Sequence, residues 1–268
     1  MKLSGAWALI TGASAGIGRE FACQLATRGC SLVLVARRRE RLEELRDELQ
    51  NRNPGLNVYL RAVDLANKSQ IDELTDWVEE NKINIGLLIN NAGLGDIGPF
   101  ATSDPSRNEQ MILVNVLALT SLTRKLLPQM ILRKNAAIVN VSSSAGFLPI
   151  PEFNVYAATK AYVTSFSEAL HAELRGTGVT VTALCPGPVQ TEFQRLARRP
   201  GGKPDSAPEF VYVSVEKVVR DAIAAVEAHR PLIIPGFIMK LGMFLARLTP
   251  MPILRLTWRL KQTAPEVD

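Results

Sequence analysis

Tyr156 and Lys160 lie four residues apart in Val155-Tyr156-Ala157-Ala158-Thr159-Lys160-Ala161, a stretch that reads as the start of a helix. An i,i+4 spacing puts both side chains on one helical face. A phenol is a weak acid, with a pKa of about 10 in model peptides. A nearby ammonium favours the phenolate and lowers that value toward working pH. Such a pair can give and take a proton. The same spacing also occurs on any solvated helix, so the surrounding elements must decide.

A second chemical feature lies near the N-terminus. Thr11-Gly12-Ala13-Ser14-Ala15-Gly16-Ile17-Gly18 joins an apolar strand to a helix. Glycines permit a tight turn and close backbone approach to phosphate, and a helix N-terminus offers free N–H groups and a positive dipole end. The spacing is Gly-x-x-x-Gly-x-Gly rather than Gly-x-Gly-x-x-Gly. Its place between a first strand and a first helix points to a bound nucleotide.

The elements that must position these groups alternate along the chain. Apolar runs predict strands over Trp7–Thr11, Ser31–Ala36, Asn57–Val63, Ile85–Asn90, Ala136–Val141, Val179–Leu184 and Leu232–Ile234. Helical periodicity covers Gly16–Arg28, Arg38–Asn51, Lys68–Asn81, Pro105–Arg133, Asn154–Arg175 and Ser214–Ala228. Pro128 is expected to kink or end the long helix. Near-continuous apolar strands separated by helices describe an α/β fold: a single Rossmann-like, doubly wound parallel sheet of about seven strands, covered by helices on both faces. We expect one dinucleotide-binding and catalytic domain over residues 1–235 and an extension over 236–268. Glu192–Tyr212 reads as one long irregular segment, and such segments in compact domains are usually functional or disordered.

Composition sets outer bounds. The chain has 268 residues, 47% hydrophobic and 21% charged, with a formal net charge of +5. That basicity is diffuse, and no Lys/Arg block interleaved with aromatics argues for nucleic acid. Cys23, Cys30 and Cys185 lack CxxC spacing, and His171 and His229 are the two histidines. Neither set builds a disulfide framework or a metal site, so no metal is expected. Reduced thiols suggest a cytoplasmic compartment. His171, near Glu168 and Glu173, reads as a surface or interface residue. The apolar run Ala6–Ile10 is too short for a signal peptide, and no apolar run reaches the length of a membrane span.

Over residues 5–235 the chain resembles the short-chain dehydrogenase/reductase family. Thr11-Gly12 with Gly16 and Gly18 is similar to its cofactor loop, and Asn90-Asn91-Ala92-Gly93 to its Asn-Asn-Ala-Gly signature. Asn115, Ser143, Tyr156 and Lys160 match its catalytic positions in order and spacing. Pro186-Gly187, followed by Val189 and Thr191, matches its nicotinamide-side signature. The resemblance implies a cofactor site of Gly12, Ser14, Gly16, Ile17, Gly18, Asp64, Asn91, Ala92, Gly93, Tyr156, Lys160, Pro186, Gly187, Val189 and Thr191. It also implies a homodimer or homotetramer, paired through the long helix and the Tyr156 helix.

Charge bears on which cofactor. An acidic residue at the end of strand two would hold the ribose hydroxyls of NAD and repel a 2′-phosphate. Here that strand ends Val35-Ala36-Arg37-Arg38-Arg39. NADP(H) is therefore favoured over NAD(H), with Arg37 the leading contact and Ser14 a second. The alternative is a solvated helix start. Asp64 resembles the family residue that bonds adenine, and it also suits the N-cap of the following helix.

The implied reaction is hydride transfer between NADP(H) and a carbonyl or secondary alcohol. Tyr156 would donate the proton, Lys160 would lower its pKa and hold the nicotinamide ribose, and Ser143 would bond the substrate oxygen. The run Ser142-Ser143-Ser144 leaves three choices, and Ser143 is chosen because it lies thirteen residues before Tyr156. Asn115, a polar residue in an apolar helix, needs a partner. It reads as part of a water-holding relay to Lys160 or as a satisfied structural amide.

Phe193, Leu196, Phe210 and Tyr212, with Leu94, Phe147, Leu148, Ile150 and Phe153, suggest apolar walls and a hydrophobic small-molecule substrate. The extension, through Phe237–Leu248 and Ile253–Lys261, is apolar and basic, with Lys240, Arg247, Arg255, Arg259 and Lys261. It suits a lid, a subunit interface or a peripheral membrane contact. Two other readings stay open: an NAD(H)-preferring dehydrogenase of lipid-derived substrates at a membrane surface, and a non-catalytic dinucleotide-binding regulator.

Overall fold

The computed structural model describes residues 3–201, 208–250 and 252–253. Seven strands form one parallel sheet in the order β3-β2-β1-β4-β5-β6-β7. They are β1 (Trp7–Thr11), β2 (Ser31–Ala36), β3 (Val58–Ala62), β4 (Ile85–Asn90), β5 (Ala136–Val141), β6 (Val179–Leu184) and β7 (Leu232–Ile233). The helices are α1 (Gly16–Ala26), α2 (Arg39–Arg52), α3 (Lys68–Glu80), α4 (Pro105–Ile112), α5 (Leu119–Arg133), α6 (Asn154–Glu173), α7 (Glu192–Ala197), α8 (Val215–Glu227) and α9 (Phe237–Leu248). The expected doubly wound fold is what the chain forms.

The apolar runs are continuous because both sheet faces are covered. Along β1 and β2, Ile10, Leu32 and Leu34 join α1, α2 and α8 through Phe21, Leu25, Leu42, Leu49 and Val219. The alternate residues Leu9, Val33 and Val35 join α3, α5 and α6 through Ile71, Leu74, Leu122, Leu126 and Leu170. Each buried Leu contributes about 1.5–3 kcal/mol. Truncating fully buried Phe21 to Ala would cost about 3–5 kcal/mol.

β1 lies between β2 and β4, so the chain reverses direction across the sheet there. The crevice beyond the strand C-termini at such a point is where ligands bind in these folds. The glycine turn, the loop after β4 and the turn after β5 all open onto it.

Two elements differ from expectation. The Pro105–Arg133 helix is long and apolar enough to cross a membrane, yet its buried face of Met111, Leu122, Leu126 and Met130 packs in the core. Pro128 does not end it, and the helix runs on to Arg133. Its one irregularity is a π-helical segment, Leu113–Ala118, which carries Asn115. Such bulges are often found at functional sites. Within Glu192–Tyr212, Glu192–Ala197 form α7 and Glu209–Val211 a 3₁₀ turn, where no regular element was expected. Gly202 and Pro204 of that segment lie outside the described residues, as do Arg255, Arg259 and Lys261 of the second apolar stretch.

Candidate active site

The turn after β5 carries Ser142, Ser143 and Ser144, and the structure separates their roles. Ser142 Oγ donates to the Lys160 carbonyl at 2.8 Å and pairs with Thr164 Oγ1 at 2.7 Å, which ties the turn to α6. Ser144 donates its backbone N–H to Pro186 O. Ser143 caps the following 3₁₀ turn, accepting from Ala145 N at 3.1 Å, and its hydroxyl is the side chain that pulls the Tyr156 phenol pKa down. Ser143 is thus the serine on the tyrosine. Gly146 lets this turn press onto α6, since a Cβ there would meet the Lys160 carbonyl carbon at 2.6 Å.

Tyr156 is buried between two rings. Phe153 stacks on it at 4.2 Å and Phe193 of α7 lies tilted at 5.3 Å. Met111, Leu94 and Ile150 complete this apolar cluster. Burial pushes the phenol up to about 12, against the opposing pull of the Ser143 hydrogen bond. The i,i+4 spacing alone predicts that Lys160 lowers that pKa. Here Lys160 Nζ stands 5.6 Å from the Tyr156 ring centroid and donates to Val141 O at 2.7 Å, and desolvation of the phenol dominates. At neutral pH Tyr156 therefore carries its proton. Lys160 is itself drawn down to about 8 by burial, with Cys185 opposing.

Asn115 is buried and fully engaged. Its Nδ2 donates to Leu94 O at 2.9 Å and Thr159 Oγ1 at 3.0 Å, and its Oδ1 accepts from Leu94 N at 2.8 Å. The amide pins the loop after β4 to α6 beside Lys160.

At the other end of the crevice, Asn91 holds the glycine turn from behind. Its Nδ2 donates to Thr11 O at 2.9 Å and Gly12 O at 3.3 Å. The N–H groups of Asn91 and Ala92 both donate to Thr11 Oγ1. A Cβ on Gly18 would collide with Gly12 O and Asn91 Nδ2, so only glycine fits. Asn91 thus supports the loop with its side chain. Gly93 lies next to Asn115 Oδ1 and Lys160 Nζ, and Thr191 covers Gly16. Pro186 and Gly187 follow β6, with Met239 of α9 packed on Gly187, while Val189 is buried in the core and Ile17 packs against it.

Arg37 is exposed, and Arg38 is the arginine on the glycine turn. Arg38 Nη2 donates to Ser14 Oγ at 3.1 Å and its Nη1 to Glu192 Oε2 at 3.1 Å. The strand-end run of three arginines cannot reveal which one turns inward. Asp64 accepts from Ala66 N at 3.0 Å, and α3 is capped by Asn67, which corrects the N-cap reading of Asp64. Leu65 and Val114, which no sequence motif marks, line a small cavity with Thr11 and Ala92. His171 Nδ1 lies 2.8 Å from Val181 O and ties α6 to β6.

A family model described as short chain dehydrogenase matches residues 6–200. The chain belongs to the short-chain dehydrogenase/reductase family. It is 40% identical over 218 residues to a sulfoacetaldehyde reductase of Chromohalobacter salexigens, covering 80% of this chain and 83% of that one. Its fold superposes on a Sphingobium yanoikuyae short-chain dehydrogenase in complex with NADPH, with a TM-score of 0.79, 30% identity and 98% of each chain covered. It also superposes on a Burkholderia phymatum family member in complex with NAD, with a TM-score of 0.80, 28% identity, and 91% and 94% covered.

Membership in the short-chain dehydrogenase/reductase family implies a nicotinamide dinucleotide, and the residues fit one. Ala15 gives α1 no side-chain cap, so the N–H groups of its first turn remain for a pyrophosphate. When bound, the nicotinamide supplies or accepts hydride. This enzyme is an oxidoreductase acting on a carbonyl or alcohol.

Proposed function

We propose that this enzyme uses NADP(H) to interconvert a carbonyl and an alcohol on a hydrophobic small molecule. The observation that carries the chemistry is Tyr156. Its phenol sits in an apolar enclosure of Phe153, Phe193, Leu94 and Ile150 that favours the protonated form, with Ser143 acting on it. Ser143 holds the substrate oxygen and Tyr156 gives it a proton as charge develops there. Lys160, beside the phenol, holds the nicotinamide ribose. The preference for NADP(H) is supported by Arg38 on Ser14 and by the absence of a carboxylate at the end of β2.

Phe153, Phe193, Leu94 and Ile150 around the phenol favour an apolar group beside the reacting carbon. A second reading concerns the far end of the substrate. A cavity of about 570 Å³ is lined by Gln190, Gln194, Arg195, Arg198, Arg199 and Tyr212. Its arginines favour a carboxylate or sulfonate there, as the similarity to a sulfoacetaldehyde reductase also suggests. A panel of apolar ketones and of aldehydes bearing carboxylate or sulfonate, followed by loss of NADPH absorbance, tests both. No turnover of any carbonyl with either cofactor would refute the reading and favour a dinucleotide-binding regulator.

The extension forms a roof on the substrate side. Met239 packs on Gly187, Arg247 Cζ lies 4.7 Å over the Phe147 ring, and Arg247 pairs with Glu168 at 3.6 Å. Its outer face exposes Phe237, Leu241, Phe244 and Leu248, which suits a peripheral membrane contact beside basic residues. Liposome co-sedimentation tests that contact. Exposed Ile112, Leu117 and Tyr162 support pairing of two copies through α4 and α6, and light scattering reads the oligomer. The three free thiols fit a cytoplasmic setting.

A further inference from the structure

The glycine turn and the substrate segment are joined by one carboxylate. Glu192, the first residue of α7, accepts from Arg41 Nη1 with both oxygens, at 2.8 and 2.9 Å. Its Oε2 also accepts from Arg38 Nη1 at 3.1 Å. The other terminal nitrogen of Arg38 holds Ser14 Oγ. Arg195 Nη2 stands 3.9 Å from Oε1. The two guanidinium groups hold Glu192 well below the usual carboxylate range, so it is an anion at every physiological pH. An anion bridging two arginines beside the glycine turn satisfies the same donors that a phosphate monoester would take.

We propose that Glu192 is a specificity-determining residue for the cofactor: its carboxylate and the 2′-phosphate of NADP(H) compete for Arg38 and Arg41. The proposal rests on the NADP(H) reading above and deepens it. NAD(H), with a plain ribose hydroxyl, leaves the Glu192 contacts in place. NADP(H) must displace them from Arg38, so the carboxylate narrows the preference that the arginines alone would give. The adjacent residue couples the two ends of the crevice. Phe193 lies on Tyr156, and Thr191 covers Gly16. Release of Glu192 would free the first turn of α7, which carries Phe193.

The three side chains are partly exposed, at 29% for Glu192, 42% for Arg38 and 40% for Arg41. Exposed ion pairs contribute modestly, and the expected effect is about fivefold in affinity. The test is calorimetric titration of the wild type, Glu192→Gln and Arg38→Gln with adenosine 2′,5′-bisphosphate and with 5′-AMP. These probes carry the phosphates but no nicotinamide, so the readout is independent of turnover. Glu192→Gln should bind the bisphosphate about fivefold more tightly and 5′-AMP unchanged. Unchanged or weaker bisphosphate binding in Glu192→Gln would overturn the competition. If the wild type still prefers the bisphosphate, and Arg38→Gln loses that preference, the NADP(H) reading survives that result. A wild type that binds both probes equally, with no effect of Arg38→Gln, would overturn both.

Discussion

Phe193 lies on the Tyr156 ring, with centroids 5.3 Å apart and planes inclined by 44°. One ring belongs to α7 and the other to α6. Replacing Phe193 with Ala would admit water to the phenol. Its pKa should then fall from about 12 toward the ordinary value, because burial is the main cause of the rise. Ultraviolet difference titration against a Tyr156→Phe background reads this directly. KM for an apolar substrate should rise about tenfold, with less change in NADPH affinity.

The three serines of the β5 turn should separate cleanly. Ser143→Ala removes the hydroxyl that acts on the Tyr156 phenol and should lower kcat by about a hundredfold or more. Ser142→Ala breaks buried hydrogen bonds to Lys160 O and Thr164. It should cost about 1–3 kcal/mol of stability and leave the chemistry closer to normal. Urea unfolding alongside steady-state kinetics distinguishes the two.

Lys160 gives a stability signature in pH. Its pKa is about 8 in the folded protein against 10.5 ordinarily. Between those values the unfolded chain binds more protons than the folded one, so this residue makes stability rise with pH across that window. Buried Cys30 and Cys185 act oppositely, since both are raised to about 11 from 9.0. The Lys160 contribution is therefore the difference between wild type and Lys160→Met. That difference should shrink by a few kcal/mol, on the order of 3, between pH 7 and pH 10.5. A constant difference would show that the ammonium is not desolvated.

Gly18→Ala places a methyl group against Gly12 O and Asn91 Nδ2. The glycine turn must shift, and dinucleotide affinity should fall by about tenfold or more, while the sheet, built from other residues, stays folded. Fluorescence titration with NADPH and far-ultraviolet circular dichroism check both halves.

Much of this fold was readable in the chain because both sheet faces are buried. Runs such as Ser31–Ala36 and Ala136–Val141 have few polar interruptions, and the glycine and serine turns mark their ends. That Ser143, Tyr156 and Lys160 come together was readable because the turn after β5 and the first turns of α6 are both marked in the chain, and the two elements pack on each other. What sequence spacing could not supply was long-range pairing. Arg38 meets Glu192 across more than 150 positions, and Arg37 and Arg38 differ only in which way the chain turns after β2. α7 was hidden because it is six residues long and its N-cap residue Thr191 makes no side-chain capping bond. Helical spacing shows the neighbouring cation and not the rings of Phe153 and Phe193, whose burial of the phenol pushes its pKa up.

The proposed role of Tyr156 as proton donor is tested most directly by Tyr156→Phe, since Phe keeps the ring stack and removes only the hydroxyl. The measurement is kcat for a carbonyl that the wild type reduces, with the NADPH dissociation constant taken on the same protein. With Tyr156 as the donor, kcat should fall by about a thousandfold, with NADPH affinity nearly unchanged. A variant that turns over at close to the wild-type rate would contradict that role.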